Sequence, residues 1–396
     1  MSAAMLNGTV KNGTLTSVQP TNSDYLSIDI PPALTISVTF MFVFVLVFGI
    51  IGNILVIFVV MLNKDMRNST NLFLVNLTVA DLLVLLVCTP IALQEFYNKD
   101  VWNLGEGMCK LLPFLENAVT HASVLTILAI SMERYYAICH PLRAPALWTN
   151  RCLSKLLTVV WSVAVISTLP FFFMAELMHK RALDGTPILV CQTLITKPWQ
   201  QVYITAIAVC FLLVPFVIMI ILYGIVGKKL LYDKCALGNQ TDDKAVSALH
   251  SRRQIVIMLI SITVIFFVCL LPFRVLSLYL IYNSMEAFKK LGIPTVIAIV
   301  YFCRLMIYIN SAINPIVYNV ISTKFRKAFK QILTRYVCCE SCTWTEMEET
   351  PSPFVRVNPA YRRSVSQAID EDAGEDGIEP VASDRVRMME EQGETP

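Results

Sequence analysis

Charge is what this sequence has least of. Only 15% of its 396 residues are Asp, Glu, Lys or Arg, where a soluble domain carries about 25%. A water-facing globule is therefore a poor reading. The net charge of +3 is too small to imply a nucleic-acid partner. Histidine is scarce as well: the four are His121, His140, His179 and His250, scattered along the chain. No metal or nucleophile constellation forms around them, which argues against a membrane enzyme. The twelve cysteines lack paired metal-ligand spacing, and the chain is too long for a disulfide-rich secreted scaffold. No cleavable signal peptide is evident, since the first thirty residues are polar and the first apolar run is too long for a signal core.

Apolar runs are what the sequence has in quantity: 56% of it is hydrophobic. A bilayer core of about 30 Å takes roughly 20 residues of apolar helix. Seven segments meet that length, at 34–62, 71–95, 108–139, 154–176, 200–227, 254–281 and 293–320. The expected fold class is an all-α membrane protein, a seven-helix bundle over 34–320. Orientation follows from basic residues in the loops. With the amino terminus outside, the cytoplasmic segments hold sixteen Lys and Arg against seven outside. That bias predicts a multi-pass protein with its amino terminus out and its carboxyl terminus in, and the plasma membrane is the expected location.

The flanking segments agree with that topology. Asn7 and Asn12 open glycosylation sequons in the tail 1–33. Asn68, Asn76 and Asn239 also open sequons, but the topology places them in the cytosol or bilayer, where they stay unmodified. Ser322 to Leu333 puts Phe325, Phe329, Ile332 and Leu333 on one face and basic residues on the other. A helix of that kind lies on a membrane surface, within a segment 321–336. Cys338, Cys339 and Cys342 follow it as either palmitoylation sites or free thiols. The remainder, within 337–396, turns polar and acidic, as a disordered tail does.

Polar residues inside spans are costly and mark function by default. Here they fall at three depths. The inner depth holds Glu133-Arg134-Tyr135, an acid and base that can pair and part. The middle depth holds Asp81, Ser123, Asn310 and Asn314. Their oxygens suit a small hard cation; a hydrogen-bonded network around a protonated Asp81 is the alternative. The outer depth holds Glu116, Arg274 and Arg304. Glu116 lies five turns, roughly 27 Å, from Arg134 on the same helical face. One acid against two bases leaves one guanidinium spare for the oxygens of a ligand. A purely structural pair beside a solvated arginine is the other reading. His121, alone on an inward face, reads as a packing residue.

These residues have company. Gly52-Asn53-x-x-Val56 stands in the first span and Asp81 in the second. Trp161 stands in the fourth, Pro215 and Tyr223 in the fifth, Pro272 in the sixth, and Asn314-Pro315-x-x-Tyr318 in the seventh. Over roughly residues 35–335 the chain resembles the rhodopsin-like (class A) G-protein-coupled receptors. The resemblance implies a receptor, not an enzyme. It implies activation of a heterotrimeric G protein by outward movement of the cytoplasmic end of the sixth helix. Arg134 would contact the G protein or the sixth helix, and Tyr223 and Tyr318 would rearrange. Cys109 and Cys191 would form a disulfide. No cofactor would be required, and the middle depth would hold an allosteric sodium ion. A receptor kinase and arrestin would act on the tail.

Within that family Cys303-Arg304-x-x-Ile307-Tyr308-x-Asn310-Ser311-Ala312-Ile313-Asn314-Pro315 and Pro272-Phe273-Arg274 look like thyrotropin-releasing-hormone receptors. Trp102, Cys109-Lys110-Leu111 and Val124-Leu125-Thr126-Ile127 look more like ghrelin, motilin and neuromedin receptors. The resemblance implies a peptide ligand held by Glu116, Asn117, Phe273, Arg274, Arg304 and Tyr308, and coupling to phospholipase C and calcium. The sixth span departs from the family in having Leu270 where a tryptophan is usual. No lysine stands in the seventh span to carry retinal, and two arginines would repel a cationic amine. A small non-peptide ligand remains an alternative, as does a membrane transporter, although internal repeats are missing.

Overall fold

The computed structural model describes residues 30–99, 101–143, 149–181, 186–237, 243–283 and 291–337. Asn7, Asn12, Cys338, Cys339, Cys342 and the acidic tail lie outside these described residues.

Among the described residues seven helices are long and apolar enough to cross a membrane. Helix α1 spans Pro32–Leu62, with proline in the first turn, where its missing N–H leaves no helical bond unmade. Helix α2 starts at Ser69–Leu83, passes through a π turn at Val84–Cys88 and ends at Thr89–Tyr97. The Asn68 side chain caps it by accepting from Asn71 N at 2.9 Å. Helix α3 is Gly105–Cys139 and α4 is Asn150–Met174. Helix α5 runs as Pro198–Ala208, a π turn at Val209–Leu213, and Val214–Leu237. Helix α6 is Asp243–Tyr282, α7 is Ile293–Ile321, and α8 is the short Thr323–Val337.

The bundle matches the expected architecture, with corrections at its edges. Helices α5 and α6 run about ten residues past the expected 200–227 and 254–281, so much of the segment read as a loop is helix. Lys, Asp and Ala are as compatible with a helix in water as apolar residues are with one in lipid. Hydropathy therefore marks where a helix leaves the bilayer and not where it stops. The two π turns have no hydropathy signature either.

The outward faces explain the composition. In the most apolar window of α1, mean hydropathy 3.0, only 33% of residues are buried. Phe40, Phe48 and Ile51 are more than half exposed on it. Faces so apolar and so open are stable only against lipid. Inward, α1 meets α7 closely. A Cβ on Gly49 would stand 2.9 Å from the Ala312 methyl carbon, and one on Gly52 would stand 3.0 Å from the ring of Pro315. Small residues permit this approach, as is usual between helices in membranes. Asn76 knits three helices together, donating to Thr126 Oγ1 at 3.0 Å and accepting from Trp161 Nε1 at 2.9 Å.

A β-hairpin absent from the sequence reading covers one end of the bundle. Strand β1, Ala175–Arg181, pairs antiparallel with β2, Pro187–Thr193. The Cys109–Cys191 disulfide anchors β2 to α3. Trp102 N donates to Leu189 O at 2.8 Å and holds the segment before α3 against the same strand. At the opposite end, Phe325 and Phe329 of α8 are buried, and Phe325 packs on Tyr318 at 5.4 Å between ring centroids.

Candidate ligand site and activation switch

Below the hairpin a narrow cleft is lined by Glu116 and Asn117 of α3, Phe171 of α4, Ile204 of α5, and Phe273 and Arg274 of α6, among others. Its free volume is about 30 Å³, close to the share of one water in the liquid. Arg274 reaches across it, and its Nη2 donates to Asn117 Oδ1 at 3.1 Å. That is a neutral partner for a half-buried cation, so most of the guanidinium's donors remain for something else.

Arg304 is placed differently. It is 2% exposed, and its Nη1 donates to Glu95 Oε2 of α2 in a buried ion pair. Its Nη2 lies 3.9 Å from Glu116 Oε1 and has no hydrogen-bond partner among the described residues. Tyr308 OH donates to the same Glu116 oxygen at 2.9 Å. The group joins α2, α3 and α7 in one buried ionic network.

This corrects the charge count made from the sequence. Glu95 is a second acid at this depth, so among the described residues two carboxylates balance the two arginines in number, but both stand by Arg304 and Arg274 meets the neutral Asn117. Glu116, Asn117, Phe273 and Arg274 line the cleft, whereas Arg304 and Tyr308 stand behind it, almost fully buried. His121 lies nearby, its Nδ1 bonded to Ser167 Oγ at 2.9 Å and its ring stacked on Phe211 at 3.8 Å. Phe211 comes from the π turn of α5, so that irregularity places the ring on the histidine.

The middle depth centres on Asp81, which is 1% exposed and accepts from Asn314 Nδ2 at 2.8 Å. Asn53 holds the α1–α7 contact beside it, donating to Gly49 O at 2.8 Å and Ser311 O at 2.9 Å. Ser123 and Asn310 are buried too. Among the described residues no Lys or Arg forms an ion pair with Asp81. A buried carboxylate beside the Asn314 amide and the Ser311 hydroxyl supplies oxygens of the kind a hard cation takes.

The inner depth is closed. Arg134 Nε donates to Glu133 Oε2 at 2.7 Å, and Ser69 Oγ and Thr70 Oγ1 of α2 donate to the same carboxylate at 2.6 and 2.8 Å. Among the described residues Arg134 pairs with Glu133 and with no acid of α6. Tyr223 OH lies 2.6 Å from Ser131 Oγ and 3.2 Å from Thr263 Oγ1, joining α5 to α3 and α6. Tyr318 is fully buried and its hydroxyl has no hydrogen-bond partner among the described residues. Leu270 takes its place in an apolar core with Phe266 and Ile127. Tyr135 packs beside Tyr136 and His140 at the end of α3.

Residues 52–318 match the family described as "7 transmembrane receptor (rhodopsin family)". The chain belongs to that family. Among similar receptors is growth hormone secretagogue receptor type 1 of Sus scrofa, 34% identical over 312 residues, covering 76% of this chain and 82% of that one. Neuromedin-U receptor 2 of Mus musculus is 30% identical over 324 residues, covering 81% and 79%. Thyrotropin-releasing hormone receptor of Gallus gallus is 31% identical over 306 residues, covering 72% and 75%. This rhodopsin-family receptor is a multi-pass membrane protein and not an enzyme. The residue that the sequence reading of its ligand depth missed is Glu95. The signal was there: an acid near the end of an apolar span, which is costly unless it is paired.

Proposed function

We propose that the receptor is gated by a peptide hormone and activates a heterotrimeric G protein coupled to phospholipase C and calcium release. The observation that carries the ligand half is Arg274. It faces the cleft with one neutral partner, beside Asn117 and the carboxylate of Glu116. A guanidinium so placed suits a carbonyl or carboxylate of the ligand, and Phe171, Ile204 and Phe273 suit an apolar side chain. The named relatives are receptors for growth hormone secretagogues, neuromedin U and thyrotropin-releasing hormone, which supports a peptide.

The amino terminus with Asn7 and Asn12 lies outside the cell, glycosylated, and the Arg134 end faces the cytosol. Cys338, Cys339 and Cys342 carry palmitate after α8, and the tail meets receptor kinase and arrestin. The cleft is too narrow for a side chain, so a ligand that enters must part α3, α5 and α6. It thereby favours conformers in which those helices stand further apart. Pro272 interrupts the hydrogen bonding of α6 and lets its cytoplasmic half swing outward. Arg134 then leaves Glu133, and Tyr223 and Tyr318 turn into the opened space.

Asp81, with Ser123, Asn310 and Asn314, holds a sodium ion that supplies positive charge to the buried carboxylate. Sodium should lower agonist affinity, and Asp81→Asn should abolish that dependence; a wild type indifferent to sodium refutes the site. The ligand class is tested by screening synthetic neuropeptides for calcium release in transfected cells. Responses to small non-peptide compounds with none to any peptide would favour the alternative reading.

A further inference from the structure

A second opening, far from the hairpin, lies between α5 and α6 and has a volume of about 340 Å³. Its walls are Gly227, Leu230, Leu231 and Lys234 on α5 and residues from Val246 to Ile260 on α6. Leu231, Ile257 and Ile260 are exposed, while Leu230 and Val256 beside them are buried in the bundle. The opening therefore looks away from the helix core. A Cβ on Gly227 would meet nothing within 4 Å, so the missing side chain leaves real space.

The lining changes along its length. Lys234 lies towards the free end of α5; on α6, His250 and Arg253 lie between Val246 and Leu249, which are nearer the free end, and Ile257 and Ile260 further in. Gly227 and Lys234, like Arg253 and Ile260, stand seven residues apart, roughly 10 Å of helix. Among the described residues no acid lines the cleft. The nearby ion pair, Lys229 with Asp233 at 2.8 Å, does not use Lys234. Among the described residues neither Lys234 nor Arg253 forms an ion pair.

We infer that this cleft binds one anionic phospholipid of the cytoplasmic leaflet. The phosphate sits on Lys234 and Arg253, with His250 beside them, and an acyl chain runs along Leu231, Ile257 and Ile260. Cations above an apolar floor match a molecule that is an anion at one end and a hydrocarbon at the other. A soluble anion has no use for the floor, and a neutral lipid has none for the cations. The inference rests on the orientation given under Proposed function.

The test is native mass spectrometry of the full receptor after reconstitution with phosphatidylserine or phosphatidylcholine. At least one phosphatidylserine should remain bound where phosphatidylcholine does not. The double substitution Lys234→Gln, Arg253→Gln, at two exposed positions, should weaken it about 25-fold, from roughly fivefold per basic contact near a membrane surface. Gly227→Leu, which fills the cleft without changing charge, should weaken it too. Glycerophosphoserine, the headgroup alone, should bind at least about tenfold more weakly. Equal retention of the two lipids, unchanged retention in the double variant, or headgroup binding as tight as the lipid would each overturn the inference. An amino-terminal epitope labelled on intact cells separates these failures from a failure of orientation. Labelling only after permeabilisation would overturn both.

Discussion

Glu95→Gln should lower the stability of the receptor by about 3 kcal/mol, and adding Arg304→Gln should restore most of that loss. In the native bundle the two side chains form a buried ion pair, 7% and 3% exposed. Removing one partner of such a pair costs about 3–5 kcal/mol, because the other charge is left without compensation. Two features hold the figure at the lower end. Glutamine keeps an oxygen that can accept from Arg304, and Glu116 stands 3.9 Å from the free Nη2. The remaining attraction to Glu116 is still weaker than a hydrogen-bonded pair, so a net loss persists. Removing both charges abolishes the desolvation cost together with the attraction, and the coupling between the two sites should exceed about 2 kcal/mol, because it adds the cost of Arg304→Gln alone to the loss recovered. For a chain of this size about 2–3 °C of melting temperature follows each kcal/mol. The single variant should then melt about 6–9 °C lower and the double variant within a few degrees of the wild type. Buried free thiols such as Cys88, Cys269 and Cys303 let a thiol-reactive dye report unfolding in detergent. Additive losses in the double variant would refute the network.

Arg274→Ala should reduce agonist potency in a calcium assay by about 10- to 100-fold, the worth of a charge-assisted hydrogen bond, with surface expression unchanged; equal potency removes Arg274 from the ligand site. Gly49→Ala should destabilise by about 1–3 kcal/mol through overpacking, since its Cβ would stand 2.7 Å from Leu85 Cδ1 and 2.9 Å from the Ala312 methyl carbon. The control Gly224→Ala, which meets nothing within 4 Å, should melt at or above the wild-type temperature, and the reverse order would contradict the packing argument. Glu133→Gln weakens a carboxylate that holds Arg134 and two α2 hydroxyls, so basal inositol-phosphate production should rise severalfold. No rise at matched expression would mean that the pair does not restrain the inner end.

The sequence by itself determined the number of spans, because lipid demands long apolar helices and nothing else in the chain competes for that pattern. It also pointed to Asn53, Asp81, Glu133, Asn310 and Asn314 as buried, since an amide or carboxylate inside such a run has nowhere to go but inward, although Glu95 escaped the same argument. The Cys109–Cys191 pairing was legible through resemblance alone. The ends of α5 and α6 and the hairpin were not legible, because hydropathy reports the solvent and not the backbone. Only the tertiary structure decided which charges meet. Glu95 follows Asp81 by fourteen residues, which an ideal helix brings to within about 40° of the same face. The π turn between them takes up an extra residue and rotates the register by about 100°, so a helical wheel cannot aim Glu95. Three helices had to pack before it could reach Arg304. That contact moved one arginine out of the ligand's path and left Arg274 facing the cleft.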